Sequence, residues 1–523
     1  MVDSPGISEA PTRKPKPRTA EQRAEMYQPV PTLTILCHPN PKRMGERAVL
    51  FPLLQKQPAL LSRREPAFSH PDSTSGHPLH DPYISRAPIF IQPSSGNDFV
   101  LDQGQSGTEV SINGEPLRGR HLVQWVNLER GVRLQLSGRI LLLFHLSRYH
   151  SQHREDTLGL VGFSDVVMAL REEIYRVRDL DTPLLLRGAS GTGKELVARA
   201  IHCMGGKSRP LVSVNMSAIP PTLAASELFG ANKGAYTGSD RAQTGFFRAA
   251  HGGTLFLDEI GETPADVQPM LLRALESGEV QSVGSQSSQK VQVRLIAATD
   301  ADLESKMEEQ SFRTPLFHRL SGYVIQLPSL AQRRDDLGRL FLHFAQEFLA
   351  EMNELHHLND PGPDADPWMP PALMDALVRF SWPGNIRQLR NVVRQLVIAS
   401  RERPQLLFTA AIRKMLDAEQ DTKKVPPFRP RKPKDIDGES LFHELQQNDW
   451  DIKATAEALG ISRGSVYTLI EKTPGLCKAS DLGLSAIQTA LNENSQDVVA
   501  TAQALRVSLR ALRRRMFELK LTE

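Results

Sequence analysis

The sequence predicts a multidomain chain: an N-terminal all-β sandwich, a central α/β domain with a helical lid, and an all-α C-terminus of tandem helix-turn-helix modules. Three observations carry that prediction. Residues 33–146 break into short apolar runs separated by turn residues, as in a sandwich or barrel. Pro183-Leu184-Leu185-Leu186-Arg187 leads through a glycine-rich turn into a helix, and further apolar strands with polar tips follow. Residues 441–472 and 484–519 share one pattern of apolar positions around a turn. At roughly one domain per ~150 residues, a chain of 523 residues has room for three or four.

Composition narrows the class. An apolar content of 40% and a charged content of 24% are those of a soluble globular protein. No apolar stretch reaches the ~18 residues of a membrane helix, and the basic, proline-rich N-terminus lacks a signal-peptide core. Cys37, Cys203 and Cys477 are far apart and odd in number, which argues against a disulfide framework or a zinc site. A cytoplasmic protein without membrane contact is expected. The net charge of +3 is too small to argue for nucleic acid, so any DNA-binding surface must be local.

Residues 1–30 hold Pro, Lys, Arg and Glu with little apolar content and are expected to form a disordered basic arm. Residues 31–150 form the expected sandwich. Its apolar runs are LTIL, AVLFPLL, PIFIQ, DFVL, VSINGEPL, VQWV, VRLQL and RILLLFHL, and Asn113-Gly114 is a hairpin signal. This stretch resembles a forkhead-associated (FHA) domain, a sandwich that binds phosphothreonine. Ser62-Arg63 falls where that family has Gly-Arg, Tyr83-Ile84-Ser85-Arg86 where it has Ser-Arg-x-His, and Asn113-Gly114 where it has a late Asn-Gly. Pro88 replaces the family's structural His, and Ser106-Gly107-Thr108 replaces Asn-Gly-Thr. The resemblance implies Arg63 as phosphate clamp and Ser85 as hydroxyl donor, with Arg86 beside them and Ser106 in place of the peptide-binding Asn. A plain sandwich with solvated loop Ser and Arg side chains fits the same residues.

Residues 158–330 read as an α/β domain and 331–416 as its helical lid. A helix-period run passes through Val166, Leu170, Ile174 and Val177 to the strand before the turn GASGTGKE. In that turn Gly188, Gly191 and Gly193 let the backbone approach a phosphate closely, with Ala189, Ser190 and Thr192 between them. The helix N-terminus adds a positive end, and Lys194 supplies a charge for the β- and γ-phosphates of ATP. Glu195 stands where a magnesium-binding Ser or Thr is usual. Residues 211–215 form a second strand, and TLFLDEI, residues 254–260, forms a third that ends in paired carboxylates. Asp258 there would hold Mg2+, and Glu259 would polarise the attacking water. Residues 294–300 form a fourth strand with Thr299 at its tip. His356-His357 is expected to be a solvated pair rather than a metal site.

Four spaced motifs then make the central region specific. GANKGAYTGS, residues 230–239, resembles the GAFTGA-bearing loop of AAA+ activators of sigma-54 RNA polymerase, and GASGTGKE is similar to their Walker A, Glu195 included. FRTPLFHRL, residues 312–320, resembles their arginine-finger segment, and WPGNIRQLRN their sensor II segment. The resemblance covers about residues 158–416. It implies a ring, usually a hexamer, in which ATP hydrolysis remodels a closed promoter complex. It further implies that Arg313 and Arg319 reach a neighbour's γ-phosphate, that Arg387 binds nucleotide in its own subunit and that Thr299 senses the phosphate. Asn215 would restrain Glu259 until the ring engages, and Gly234, Ala235, Tyr236, Thr237, Gly238 and Ser239 would contact sigma-54. Tyr236, Ser239, Asp300 and Pro315 depart from the family pattern.

After a basic, proline-rich linker at 421–438, residues 439–475 read as a helix-turn-helix. Ser462 caps its second helix, whose Arg463, Ser465 and Tyr467 would reach bases and phosphates. The module resembles the Fis-type unit that ends this activator family. Residues 481–523 repeat it: Ala500, Ala504, Leu505 and Val507-Ser508 match Ala454, Ala458, Leu459 and Ile461-Ser462. The repeat's second helix carries Arg510, Arg513 and Arg514, which suit phosphate contact.

The whole reads as a sigma-54-dependent activator that binds enhancer DNA and is driven by ATP and Mg2+. Its FHA-like domain would receive a signal from a phosphothreonine protein or a Ser/Thr kinase. Two other readings stay open: an AAA+ remodeller of another protein, and a DNA-binding regulator with a weak or inactive ATPase.

Overall fold

The computed structural model describes residues 29–148, 158–422 and most of 441–521, apart from short gaps at 74, 95–96, 207–208, 235–241 and 363. The expected arm and linker lie outside the described residues, save Pro29 and Val30 at the end of the one and 421–422 at the start of the other. Residues 1–419 and 420–523 are two separate compact units.

The N-terminal domain is a sandwich of two antiparallel sheets. One runs β2(Arg47–Val49), β1(Pro29–Cys37), β10(Ile140–Arg148), β9(Val132–Leu136), β6(Val110–Ile112) and β7(Glu115–Pro116). The other runs β3(Ala59–Leu61), β4(Ile89–Pro93), β5(Phe99–Asp102) and β8(Arg120–Val123). Leu33, Ile35, Leu142 and Phe144 point into the core between the sheets. Asn113 and Gly114, with φ of 54° and 97°, make the primed turn between β6 and β7. Two of the expected strand runs are shorter than read. AVLFPLL gives up its strand to a helical turn at Phe51–Leu54, where Pro52 sits in the first turn, and VQWV ends in the helix Trp125–Arg130.

The central strands of the larger sheet are buried on both faces. Leu36, Cys37, Leu141 and Leu143 join Phe341, Phe348, Trp368, Leu373 and Leu389 of the lid in one apolar core. A Cβ on Gly338 would meet the Leu36 carbonyl oxygen at 2.8 Å, so only glycine admits this close approach of strand and helix. Ion pairs rim the contact: Arg133–Asp375 at 2.6 Å and Arg47–Asp335 at 2.7 Å.

The α/β domain carries a five-stranded parallel sheet in the order β12(Leu211–Asn215), β13(Thr254–Asp258), β16(Arg294–Thr299), β11(Leu184–Arg187), β17(Tyr323–Gln326). The antiparallel hairpin of β14(Glu279–Gln281) and β15(Ser288–Lys290) stands apart from it. The helix Asp165–Val177 forms where the periodic run predicts it and buries Val167, Leu170, Ile174 and Val177. The lid comprises the helices Leu337–Glu351, Pro371–Arg379, Asn385–Ala399 and Ala410–Thr422.

In the C-terminal unit the helices Arg463–Lys472, Leu484–Glu493, Val498–Ala504 and Leu509–Glu518 are described. Two small cores match the two repeats: Leu441, Leu445, Trp450, Val466 and Ile470 in one, Leu482, Ile487, Leu491, Ala502, Val507, Leu512 and Met516 in the other. Most of residues 443–462, where the helix before the first module's turn and the turn itself are expected, lie outside the described residues. No helix among the described residues is long and apolar enough to cross a membrane.

The contact between sandwich and ATPase makes folding pH-dependent. Burial, helped by Arg47, pushes the His145 ring down to about 4, and burial with Arg43 does the same to His38. Both rings stay neutral in the folded chain but gain protons near 6.5 when it unfolds. The rings' contribution to stability is therefore full above pH 6.5 and is lost as pH drops towards 4, by about 1.4 kcal/mol per pH unit for each ring, while the Asp335 carboxyl, pushed up to about 7 by burial, acts in the opposite sense. His145 Nε2 lies 2.8 Å from Thr34 Oγ1, a bond that glutamine can keep. His145→Gln is expected to remove about half of this acid slope, read from urea midpoints at pH 6.5 and 5. An unchanged slope would place the pH sensitivity elsewhere.

Candidate functional site

The site forms at the C-terminal tips of the parallel strands, where β11 turns into the helix Lys194–Gly205. Gly191 and Gly193 take φ of 78° and 99°, conformations in which side chains are strained. A Cβ on Gly191 would lie 2.4 Å from the Gly384 carbonyl oxygen, so the lid backbone rests directly on the turn. The Lys194 ammonium is buried and donates to the Gly188 carbonyl at 2.8 Å. Thr192 donates to the Ala189 carbonyl at 2.8 Å. Glu195 opens the helix and pairs with Arg199 at 2.7 Å.

Asp258 and Glu259 end β13 beside that turn. Asp258 accepts the Glu259 N–H at 3.0 Å, and Glu259 adopts the left-handed conformation at φ 53°. Burial raises the Asp258 carboxyl above its ordinary value, against the pull of that hydrogen bond and of the Lys194 charge. A half-buried carboxylate facing a lysine is a fitting ligand for a divalent cation, whose charge would restore the ionised form. Thr299 is buried; its hydroxyl accepts the Ala301 N–H at 3.0 Å and keeps its own proton to donate. Gly188 N–H donates to the Thr299 carbonyl at 3.2 Å, which locks the tip of β16 to the turn.

Asn215 and Arg319 each hold a partner within the single chain, and the one expected of Arg319 belongs to a neighbouring subunit. Asn215 accepts Ser217 N–H at 2.9 Å and Ser217 Oγ–H at 2.8 Å with its side-chain oxygen, and no hydrogen bond joins it to Glu259. Arg319 donates through Nε and a terminal nitrogen to the Leu275 carbonyl, at 3.0 and 2.8 Å. Arg313, by contrast, is exposed at the head of the helix Thr314–Leu320. Pro315 lies in the first turn of that helix, where an N–H has no helical partner to lose.

The lid closes over the turn through the WPGNIRQLRN segment, by Arg387 as expected and by Asn385 and Ile386, which were not singled out. Asn385, buried and at φ 49°, donates to the Ser190 carbonyl at 2.9 Å and accepts the Leu330 N–H at 2.9 Å. Ile386 N–H donates to the Gly191 carbonyl at 3.0 Å. Arg387 reaches Ser190 Oγ at 3.1 Å, which puts its guanidinium beside the phosphate cradle.

A family model for the sigma-54 interaction domain matches residues 160–326, and one for the AAA+ ATPase lid domain matches 331–426. The transcriptional regulatory protein ZraR of Escherichia coli K12 is 39% identical over 322 residues, 60% of this chain and 68% of its own length. The chain belongs to the sigma-54-dependent activator family. Its central domain is an AAA+ ATPase. The chain is also 43% identical to the E. coli K12 regulator NtrC over 243 residues, 46% of this chain and 50% of that one. A crystal structure of NtrX from Brucella abortus with ADP is 33% identical, covering 60% of this chain and 70% of that one, with a TM-score of 0.44.

The activator's other expected positions divide. Gly234 is described, at φ 81° with open space around it, whereas Ala235, Tyr236, Thr237, Gly238 and Ser239 lie outside the described residues. Arg63 and Ser85 come together through Arg63 N–H to the Ser85 carbonyl at 3.0 Å. The Arg63 guanidinium is turned onto the carbonyls of Ile84 and Pro82. Ser106 is buried with its hydroxyl on Thr108 at 3.3 Å, while Arg86 is exposed. Ser106 is thus a loop bracket and not an open peptide contact.

Arg463 and Ser465 open the helix Arg463–Lys472, on which Tyr467 is exposed. Arg510, Arg513 and Arg514 share the helix Leu509–Glu518, and Arg513 is exposed. Nothing further is described for the side chains of Arg463, Ser465, Arg510 and Arg514. Arg515 turns back to the Leu482 carbonyl at 3.1 Å and serves its own module. His356 is exposed, as expected, whereas His357 is half-buried and stacks on Trp368, the two His rings lying 4.1 Å apart. No group of three or more metal ligands occurs among the described residues.

Proposed function

We propose that this chain activates transcription by sigma-54 RNA polymerase, using ATP hydrolysis in a hexameric ring fixed to upstream DNA by its C-terminal modules. The observation that carries the reading is the direct seating of the lid on the phosphate turn, through Asn385, Ile386 and Arg387, in a chain that bears the GAYTGS segment. A nucleotide entering there changes the very bonds that hold the two subdomains together, so occupancy is converted into motion.

The roles follow from position. Lys194 leaves the Gly188 carbonyl for the β- and γ-phosphates, and the turn's N–H groups hold the phosphate oxygens. Asp258 holds Mg2+, which supplies charge neutralisation between the phosphates. Glu259 orients and polarises the attacking water, Thr299 donates its hydroxyl towards the γ-phosphate, and Arg387 binds the nucleotide of its own subunit. Arg313 completes the site of a neighbour, whereas Arg319 first has to leave the Leu275 carbonyl. Asn215 donates its amide Nδ2 to Glu259 while its oxygen stays on Ser217. Residues 234–239 contact sigma-54, and the placement of Pro315 removes one ground for an inactive motor. The test is open-complex formation by sigma-54 RNA polymerase on a supercoiled promoter carrying this protein's upstream site. Open complexes that need ATP and fail with a non-hydrolysable analogue support the proposal. Activation independent of nucleotide would favour a regulator acting by occupancy.

The sandwich is read as a phosphothreonine receptor. Arg63, Ser85 and Arg86 supply the donors, and Ser106 shapes the loop behind them. Arg63→Ala is expected to weaken phosphothreonine-peptide binding by about 10- to 100-fold, the worth of a charge-assisted bond of ~1.5–3 kcal/mol. Unchanged affinity in a fluorescence-anisotropy titration would make Arg63 a structural residue only.

A further inference from the structure

The turn between β9 and β10 is wedged between the loop that carries Ser85 and a segment of the lid. Arg139, buried in that turn, faces both ways. On one side it pairs with the buried carboxylate of Asp81 at 3.1 Å and lies 4.4 Å over the Tyr83 ring. On the other it donates to the Ala365 carbonyl at 2.7 Å, with the Asp366 carboxylate at 3.7 Å. Ser137, in the same turn, donates to the Tyr83 carbonyl at 2.9 Å. Other sandwich–lid ion pairs, such as Arg133–Asp375, reach the lid without touching this loop.

We propose that Arg139 is the positioning residue through which a phosphate-bearing ligand on the Arg63–Ser85 loop and a nucleotide on the P-loop influence each other. The inference rests on the phosphothreonine reading above and adds its route. Arg63 gives Nε to the Ile84 carbonyl and one terminal nitrogen to the Pro82 carbonyl, so a phosphate that draws the guanidinium out to its remaining donors releases the backbone of residues 82–84. That backbone is what Asp81, Tyr83 and Ser137 hold against Arg139. Beyond Arg139, residues 365–366 lead to Trp368 and Met369, where Cys37 Sγ donates to the Met369 carbonyl at 3.1 Å. Trp368, Met369 and the helix Pro371–Arg379 share one core with the helix Asn385–Ala399, which presents Asn385 and Arg387 to Ser190. Coupling along this path is reciprocal, so nucleotide must also act on the loop.

The experiment uses the full chain, with ADP as one probe and a degenerate phosphothreonine peptide pool as the other. ADP is expected to change hydrogen exchange in residues 81–86 and to shift affinity for the pool by at least about fivefold. Arg139→Lys keeps a charge for Asp81 but lacks the second arm of the fork that reaches Ala365. It is expected to bind each probe alone within about twofold of the unchanged chain while the ADP-induced effects disappear. Full coupling in Arg139→Lys, or no response of residues 81–86 to ADP in the unchanged chain, overturns the proposal. A pool that binds neither protein defeats the phosphothreonine reading alone, since the exchange response to ADP and its loss in the variant still decide the route. Should Arg139→Lys not fold, the neutral pair Asp81→Asn with Arg139→Gln is measured against the same criterion.

Discussion

Arg313→Ala is expected to lower ATP turnover by about 10³- to 10⁵-fold, the effect of losing an arginine that stabilises transition-state charge across a subunit boundary. ADP affinity should stay within about threefold, because the residue does not belong to its own subunit's phosphate cradle. The backbone explains why Arg313 is the better candidate of the two. Its N–H is held at 2.8 Å by Gln268, itself fully buried and fixed by donating to the carbonyls of Thr263 and Ser311 at 3.0 Å each. That bracket sets the head of the helix and leaves the guanidinium exposed. Arg319 is tied to Leu275, so Arg319→Ala is expected to cost less. Mixing Arg313→Ala with Lys194→Ala subunits should restore part of the turnover, since each supplies what the other lacks. Full activity of Arg313→Ala alone, or no recovery on mixing, would contradict action in trans.

The second large effect is on stability. Asp336→Ala is expected to cost about 3–5 kcal/mol, the range for removing one partner of a buried, hydrogen-bonded ion pair. The Asp336 carboxylate accepts from Phe163 N–H at 2.6 Å, Ser164 N–H at 3.0 Å and Ser164 Oγ at 2.5 Å, and pairs with Arg333 at 3.1 Å. Arg47 of the sandwich approaches it to 3.7 Å. Burial alone would raise this carboxyl, but Arg333, Arg47 and those hydrogen bonds outweigh it and hold it below the ordinary range. One side chain thus joins the start of the ATPase, the start of the lid and the sandwich. Urea unfolding of Asp336→Ala measures the cost, and a loss below about 1 kcal/mol would mean the junction relaxes without it.

Much of this was legible in the sequence because the signals are local. Gly191 and Gly193 mark backbone that must turn left-handed, and Val166, Leu170, Ile174 and Val177 mark one helix face. The continuous apolar runs LTILC and ILLLFHL carried a further signal, since a one-sided sandwich strand alternates. Both runs are covered twice, by the opposite sheet and by the lid, but periodicity cannot name the second partner. Asp336, Gln268, Asn385 and Arg139 were not legible. Each is a polar residue buried by segments distant in sequence, and no local pattern separates such a residue from a solvated one. The roles of Asn215 and Arg319, inferred from family resemblance, call for partners that a lone subunit does not bring to them.

Action of this ATPase on sigma-54 is tested most directly by holding the purified chain in an ATP transition-state analogue and following isolated sigma-54 on a native gel. A shifted band is expected, which disappears when Thr237 is deleted from the GAYTGS segment. Analogue binding and ring formation without a shift would contradict such action and point to a remodeller of another protein.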